Sequence, residues 1–143
     1  MSDMIGKEFF SKSTEETKHI AKKLAESLSA GKIVLLSGDL GAGKTVFAKG
    51  FAEGLGISQD ITSPTFTIMN CYDDKLNHFD LYRLNSVDEL LAVGAEEELY
   101  GEKISLVEWP EIVGFDFFAR ETIVVEILKL NDTERKIVIR ENG

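Results

Sequence analysis

Residues 38 to 45 read Gly38-Asp39-Leu40-Gly41-Ala42-Gly43-Lys44-Thr45. This stretch fits the glycine-rich phosphate loop, in which Gly and four free positions precede Gly, Lys and Ser or Thr. The apolar, β-branched run Ile33–Leu36 comes before it, and Thr45–Ala52 follows with apolar residues at helical spacing. A buried strand, a glycine loop and a helix in this order predict an α/β domain of the P-loop NTPase type.

The residue types in this loop suit the binding of a nucleotide's phosphates. Glycine reaches backbone angles denied to other residues, so successive N–H groups can point at phosphate oxygens beside the positive end of the following helix. Lys44 supplies a cation for the β and γ phosphates, and the Thr45 hydroxyl suits magnesium. The alternative is an ordinary tight turn with a surface lysine. The predicted nucleotide-binding residues here are Gly41, Ala42, Gly43, Lys44, Thr45 and Val46.

Length and composition favour one compact unit. The chain has 143 residues and is 43% hydrophobic, so we expect a single domain spanning 1–143. No apolar run approaches the roughly 20 residues that span a bilayer, and the N-terminus lacks a signal-peptide core. Cys71 is the single cysteine, which excludes an internal disulfide and suggests packing within a strand. A soluble cytoplasmic protein without a membrane partner is expected.

The charge balance opposes unaided nucleic-acid binding. The chain carries 25 acidic and 16 basic residues, for a net charge of −9. Affinity for nucleic acid comes largely from neutralising phosphates, which this balance does not favour. If RNA is involved, we expect another protein to hold it.

Capping and turn patterns predict the remaining elements. Ser13 and Glu16 have capping-box spacing and predict a helix that ends at Gly31, and Ser86 and Glu89 predict a second one that Gly94 divides. We expect Val87, Leu90, Leu91 and Leu99 to face inward there. Antiparallel hairpins are predicted around 73–75 and 131–134, so the whole is a mixed sheet flanked by helices with antiparallel hairpin additions.

Two carboxylates follow predicted strands and are candidates for the chemistry. Glu108 comes directly after the mostly apolar run Ile104–Val107, so it emerges at the sheet edge where α/β folds bind ligands and can hold magnesium. Asp80 ends another strand and can accept a proton or hold a metal-bound water. The alternatives are a solvated strand-end carboxylate for Glu108 and a turn-capping role for Asp80.

Other polar and aromatic residues have less specific patterns. Thr62, Ser63 and Thr65 surround a proline after the phosphate-loop helix, where loops that sense the γ phosphate often lie, although a hydroxyl-rich turn is the alternative. Trp109 is either plain core or shapes the site or a docking surface. His78 is expected to support its strand neighbours.

Four segments together make the sequence similar to the TsaE family, formerly YjeE. These are the small bacterial P-loop ATPases needed for threonylcarbamoyladenosine formation on tRNA. The resemblance runs from about Ser13 to the final hairpin and departs from the family at Phe115–Phe118, where Leu-Pro is common. The segments are Gly38-Asp39-Leu40-Gly41-Ala42-Gly43-Lys44-Thr45, Ser63-Pro64-Thr65-Phe66-Thr67, His78-Phe79-Asp80-Leu81-Tyr82-Arg83-Leu84 and Val107-Glu108-Trp109-Pro110.

The resemblance implies a function and a set of site residues. It implies ATP rather than GTP, with magnesium at Thr45 and Glu108, and hydrolysis that is weak in the isolated chain. It implies TsaD and TsaB as partners, a TsaC-type synthase in the same pathway, and only indirect contact with tRNA. It also implies switch-like roles for the loop from Ser63 to Thr65 and for the Asp80 segment, and it places Thr14 and Glu15 near the adenine. Together with the patterns above, the predicted site residues are Lys44, Asp80 and Glu108 for catalysis, and Ser63, Thr65 and Trp109 as switch or partner-facing positions.

Two other functions remain open from the residues alone. A small-molecule P-loop kinase would use the same loop to pass the γ phosphate to a hydroxyl, but it needs an acceptor pocket and usually a lid with arginines. A binding module that senses ATP without useful turnover would need neither Asp80 nor Glu108 for hydrolysis. Phosphate release with and without partner proteins separates these cases.

Overall fold

The computed structural model describes residues 3–39, 41–61, 68–119 and 121–142. Its seven strands form one sheet, and its helices lie along the sheet. The elements are β1 (Lys7–Ser11), α1 (Thr14–Ser27), β2 (Ile33–Ser37), α2 (Lys44–Gly54), β3 (Met69–Tyr72), β4 (Leu76–Asp80), α3 (Val87–Ala92), α4 (Ala95–Leu99), β5 (Ile104–Glu108), β6 (Ile123–Lys129) and β7 (Arg135–Glu141), with short 3-10 helices at Pro110–Ile112 and Phe115–Phe117.

The strand order across the sheet is β1-β7-β6-β2-β5-β4-β3. The strand β2, which feeds the phosphate loop, lies at the centre and runs parallel to both β5 and β6. The next strand, β4, is parallel to β5, whereas the outer pairs β3–β4, β6–β7 and β1–β7 are antiparallel. The predicted α/β class, with a mixed sheet and flanking helices, is therefore confirmed.

Both faces of the central strand are buried. Val34 and Leu36 pack into the cluster that contains α1 and α2, while Ile33 and Leu35 pack into the cluster that contains α3 and α4. Successive side chains of a strand point to opposite faces, so an unbroken apolar run is what a strand covered on both sides requires. The carboxyl ends of β2, β4 and β5 meet at one edge, where the phosphate loop begins.

The first helix begins as the capping pattern predicts. Ser13 Oγ accepts a hydrogen bond from the Glu16 N–H at 3.1 Å, which satisfies a backbone donor in the first turn. The prediction for its end is wrong: the helix stops at Ser27, and Gly31 lies in the following turn with φ of 85°. The backbone already turns extended at Leu28, so the glycine shapes the connection to β2.

Two predicted side-chain positions are also corrected. Leu91 is 42% exposed, because the division at Gly94 leaves α3 only six residues long and Leu90 alone is buried in it. Cys71 is exposed on the edge strand β3, with its thiol 3.1 Å from Asn77 Oδ1. None of the helices in the described ranges combines the length and apolarity that crossing a membrane requires.

Candidate functional site

A cavity of about 710 Å³ lies at the carboxyl edge of the sheet, beside the phosphate loop. It is bounded by the loop and the start of α2, the start of α1, the ends of β4 and β5, and the turn between β6 and β7. The lining residues are Lys12, Ser13, Thr14, Thr17, Gly41, Gly43, Lys44, Thr45, Val46, Asp80, Tyr82, Glu108, Trp109, Asp132, Thr133 and Arg135.

The loop has the backbone geometry that its glycines predict. Gly43 caps the start of α2 with φ of 107°, a conformation that residues with a Cβ rarely adopt. The Ala42 N–H donates to the Asp39 carbonyl at 3.0 Å, which closes the loop on itself. The 11-residue helix α2 then begins at Lys44, so its positive end faces the cavity.

The ammonium group of Lys44 is buried beside the phosphate loop. The residue is 6% exposed, and its Nζ has no hydrogen-bond partner among the described residues. The Nζ lies 3.3 Å from the centroid of the Trp109 ring, which offers a cation–π contact. Burial lowers the pKa of Lys44 from its ordinary value, and the carboxylate of Glu108 partly offsets this. A desolvated cation in this position fits an anionic ligand such as a phosphate.

Glu108 is held by a histidine from the neighbouring strand. Its Oε2 lies 2.6 Å from His78 Nε2, and both side chains are almost completely buried. An ionised carboxylate can only accept, so with Glu108 in that form Nε2 would donate the hydrogen bond. His78 Nδ1 has no hydrogen-bond partner among the described residues. The carboxylate is thus fixed beside Lys44, where its oxygens are of the type that magnesium prefers.

Asp80 lies next to Glu108 in the sheet. The two residues are register partners across β4 and β5, and both line the cavity. Asp80 Oδ1 accepts a hydrogen bond from the Tyr82 N–H at 3.0 Å, so the residue does cap the following turn. This fixes the carboxylate at the cavity wall and does not remove it from the site.

Trp109 turns its ring toward the loop through an unusual backbone conformation. Its φ of 60° is rare for a residue with a large side chain. The ring lies under Lys44 on one side, and its centroid is 4.7 Å from that of Tyr82, which is half exposed. Trp109 therefore forms part of the cavity wall and is not plain core, and it lies where the cavity opens to the surface.

The other predicted residues divide into three groups. Thr14, Thr45 and Val46 line the cavity. Ala42 and Glu15 are not among its lining residues, since Ala42 is completely buried beneath the loop and Glu15 is exposed on α1. The switch positions Ser63 and Thr65 lie outside the described residues.

The sequence did not predict the place of Arg135 in the cavity, and it predicted His78 only as a support for its strand neighbours, without naming Glu108 as its partner. Arg135 lines the cavity although it starts a strand about 90 residues after the loop. Only the pairing of β7 with β6, and of β6 with β2, brings it there. For His78, a sequence signal existed: it lies two residues before Asp80 on a strand, so its side chain points to the same face as Asp80.

Comparisons with known proteins agree on one family. The family model described as "Threonylcarbamoyl adenosine biosynthesis protein TsaE" matches residues 11–137. The tRNA threonylcarbamoyladenosine biosynthesis protein TsaE of Bacillus subtilis is 43% identical over 132 residues, which cover 90% of this chain and 82% of that protein. The protein of the same name from Treponema pallidum is 38% identical over 131 residues, covering 90% and 96%.

A solved structure also matches. The crystal structure of Bacillus subtilis YdiB superposes with a TM-score of 0.77 at 38% sequence identity. The match covers 96% of this chain and 86% of that one. The likeness therefore extends over nearly the whole chain.

Proposed function

The chain belongs to the TsaE family of threonylcarbamoyl adenosine biosynthesis proteins, and on that basis we propose that it is a magnesium-dependent ATPase. It is required for threonylcarbamoylation of adenosine 37 in tRNA. It acts on the TsaD–TsaB transferase complex and does not transfer the group itself, while a TsaC-type synthase supplies the activated threonylcarbamoyl group. The whole chain, 1–143, works as one domain in the cytoplasm.

The observation that most directly supports nucleotide binding is the state of Lys44. Within the described part of the chain its buried ammonium has no hydrogen-bond acceptor, and it stands at the start of α2 in a cavity lined by Gly41 and Gly43. Phosphate oxygens would supply the missing acceptors, and the N–H groups of the loop would add further donors. Lys44 then leaves the Trp109 ring and binds the β and γ phosphates.

Thr45 and Glu108 are the residues that would hold magnesium. An ion held there would supply positive charge that stabilises the negative charge of the nucleotide's phosphates during hydrolysis. Both residues line the same cavity, and His78 keeps the Glu108 carboxylate in one orientation. A carboxylate oriented by a second side chain binds a metal more tightly than a mobile one.

Asp80 is the residue that would orient the attacking water. Its carboxylate is fixed by the Tyr82 N–H and stands beside Glu108 at the cavity wall. From there it can accept a hydrogen bond from a water placed in line with the γ phosphate. The Ser63 to Thr65 loop and Trp109 would respond to the γ phosphate and report it to the partners.

The acidic composition agrees with an indirect role for tRNA. A net charge of −9 gives no electrostatic attraction to a phosphate backbone. The TsaD–TsaB complex would therefore hold the tRNA, and nucleotide turnover by this chain would reset that complex between reaction cycles.

Phosphate release from ATP tests the activity and separates it from the alternatives. We expect slow release by the isolated chain and faster release when purified TsaD–TsaB is added. Glu108→Gln should reduce the stimulated rate on the order of a hundredfold, because the magnesium ligand is weakened. Glu53→Gln, an exposed substitution on α2, is the matched control and should leave the rate unchanged.

The other outcomes are equally distinct. Stimulation by a small hydroxyl compound that becomes phosphorylated would show a kinase. Release that neither the partner pair nor an acceptor changes, despite ATP binding, would show a nucleotide sensor. Either result would overturn the partner-dependent ATPase.

A further inference from the structure

We propose that Arg135 is a positioning residue that holds the phosphate loop in its nucleotide-binding conformation. Its guanidinium connects the turn between β6 and β7 to the backbone of the loop. This inference rests on the proposed nucleotide binding, since it names the residue that prepares the loop for phosphate.

Arg135 donates to the carbonyl side of the loop. Its Nε lies 2.7 Å from the Ala42 carbonyl oxygen, and its Nη2 lies 3.3 Å from that of Gly41. The fork of a guanidinium can satisfy two neighbouring carbonyls at once, which an ammonium cannot do in a fixed geometry. Two successive peptide units of the loop are thereby held from one side.

Holding these carbonyls also sets the direction of a donor. In a planar trans peptide the C=O and the N–H point in opposite directions. The bond from Arg135 to the Ala42 carbonyl therefore directs the Gly43 N–H away from the arginine. Gly43 has φ of 107° and resists rotation poorly by itself, because glycine has the widest choice of backbone angles. Such a loop needs a support from outside itself, and the bonds from Arg135 supply it.

The arginine is itself hydrogen-bonded to the turn between β6 and β7. Its Nη1 donates to the Asn131 carbonyl at 2.7 Å and to the Glu134 carbonyl at 3.0 Å. Asn131 Oδ1 in turn accepts from the N–H groups of Thr133 and Glu134, which ties the turn together. The side chain of Arg135 thus links the loop to the turn at the start of the seven-residue strand β7.

The position of Arg135 at the start of β7 explains how its side chain reaches the phosphate loop. Arg135 lies on the same face of β7 as Ile137 and Ile139, which pack under α1 and α2. It is the first residue of a strand that runs antiparallel to β6, so it stands at the carboxyl edge of the central strands. None of the ion pairs between described residues involves Arg135, so its donors are directed to carbonyls.

Amide hydrogen exchange of the full chain without nucleotide, together with ADP affinity, tests this role. In Arg135→Gln we expect faster exchange in the phosphate-loop peptide and an affinity for ADP with magnesium reduced on the order of tenfold. Exchange in β2 and β5 should stay as in the wild type. Arg135→Lys keeps the charge but not the fork, so it should also exchange faster and bind less tightly.

Arg140→Gln is the matched control. Arg140 is on the same strand and is also half-buried, but it pairs with Glu126 at 2.9 Å and does not contact the loop. Its loop exchange and ADP affinity should match the wild type. If Arg135→Lys matches the wild type in both measurements, charge alone suffices and positioning is refuted. The same holds if Arg135→Gln behaves like Arg140→Gln.

The proposed nucleotide binding fails separately from this inference. It fails if the wild-type chain does not bind ADP. In that case faster loop exchange in Arg135→Gln and Arg135→Lys would still support the positioning role, because exchange is measured without ligand. Should Arg135→Gln not fold, Arg135→Lys gives the same two measurements.

Discussion

The environment of Lys44 lowers the stability of the ligand-free protein but favours the binding of a phosphate. Its ammonium is buried and has the face of Trp109 as its neighbour, with no oxygen acceptor among the described residues. Burial lowers its pKa from the ordinary 10.5, which means that the charged form is less favoured in the folded, ligand-free protein than in the unfolded chain. A phosphate beside Lys44 would favour the charged form. The unfavourable free energy of burying the ammonium in the ligand-free protein would then be offset in the complex, which increases the affinity for the phosphate.

We expect Lys44→Met to raise the melting temperature of the ligand-free protein at neutral pH by a few degrees, of the order that single substitutions produce. Methionine keeps the apolar stem over Trp109 and removes the buried charge. The pKa of Lys44 is lower in the folded state than in the unfolded chain. Between that lowered pKa and 10.5, the unfolded chain therefore binds more protons than the folded protein does. The wild type therefore gains stability relative to the variant over that range.

Thermal unfolding at several pH values checks this prediction. The difference between the two proteins should shrink as pH rises toward 10.5, and ATP should no longer stabilise the variant. A variant that is less stable than the wild type at neutral pH, or a difference that widens with pH, would contradict it.

Local sequence predicted the positions of single side chains better than it predicted their partners. The glycine loop predicted Lys44 and Thr45 at the cavity, and the strand ends predicted Asp80 and Glu108. The bond between His78 and Glu108 joins adjacent strands far apart in sequence. Such pairs depend on the sheet register, which no local pattern of one chain specifies.

The helices α1 and α2, which cover one face of the sheet, approach each other closely at two glycines. Gly50 on α2 faces the backbone of Lys18 on α1, where an added Cβ would lie 2.7 Å from the Lys18 Cα and against its carbonyl oxygen. Gly54, one turn later, meets Lys22 in the same way. The glycines let α1 rest directly on α2, which carries Lys44 at its start.

Gly50→Ala should therefore destabilise the protein by about 1–3 kcal/mol, because the helices must separate to admit the methyl group. At an exposed helical site the same change would stabilise by up to about 1 kcal/mol, so the sign is diagnostic. Lys49→Ala on the exposed side of α2 serves as control. Urea unfolding measures both, and a midpoint for Gly50→Ala at or above that of the wild type would refute the close packing.

The sequence predicted which helices and strands exist better than it predicted where they end. The run Ile33–Leu36 and the capping residue Ser13 identified β2 and the start of α1. Leu91 was placed inward by helical spacing, but α3 ends at Ala92 and buries only Leu90. A helix this short makes too few contacts for its periodicity to decide which residues are covered.

Across the whole molecule, the sheet topology assembles the cavity from distant parts of the chain. The order β1-β7-β6-β2-β5-β4-β3 places the ends of β4 and β5 on one side of the phosphate loop and the β6–β7 turn on the other. The class of the fold was predictable from the alternation of strands and helices. The order was not, because several strand orders bury the same apolar faces, so the contribution of Arg135 became visible only in the structure.

Calorimetric titration of the intact chain with ATP and magnesium is the most direct test of whether this cavity is a nucleotide site that depends on Lys44. We predict saturable binding of one ATP per chain by the wild type, and by Lys49→Ala, which removes an exposed lysine of the same helix. Lys44→Ala should weaken the affinity at least tenfold, a loss of about 1.4 kcal/mol or more. Absence of saturable binding in the wild type, or equal affinity in Lys44→Ala, would contradict the account.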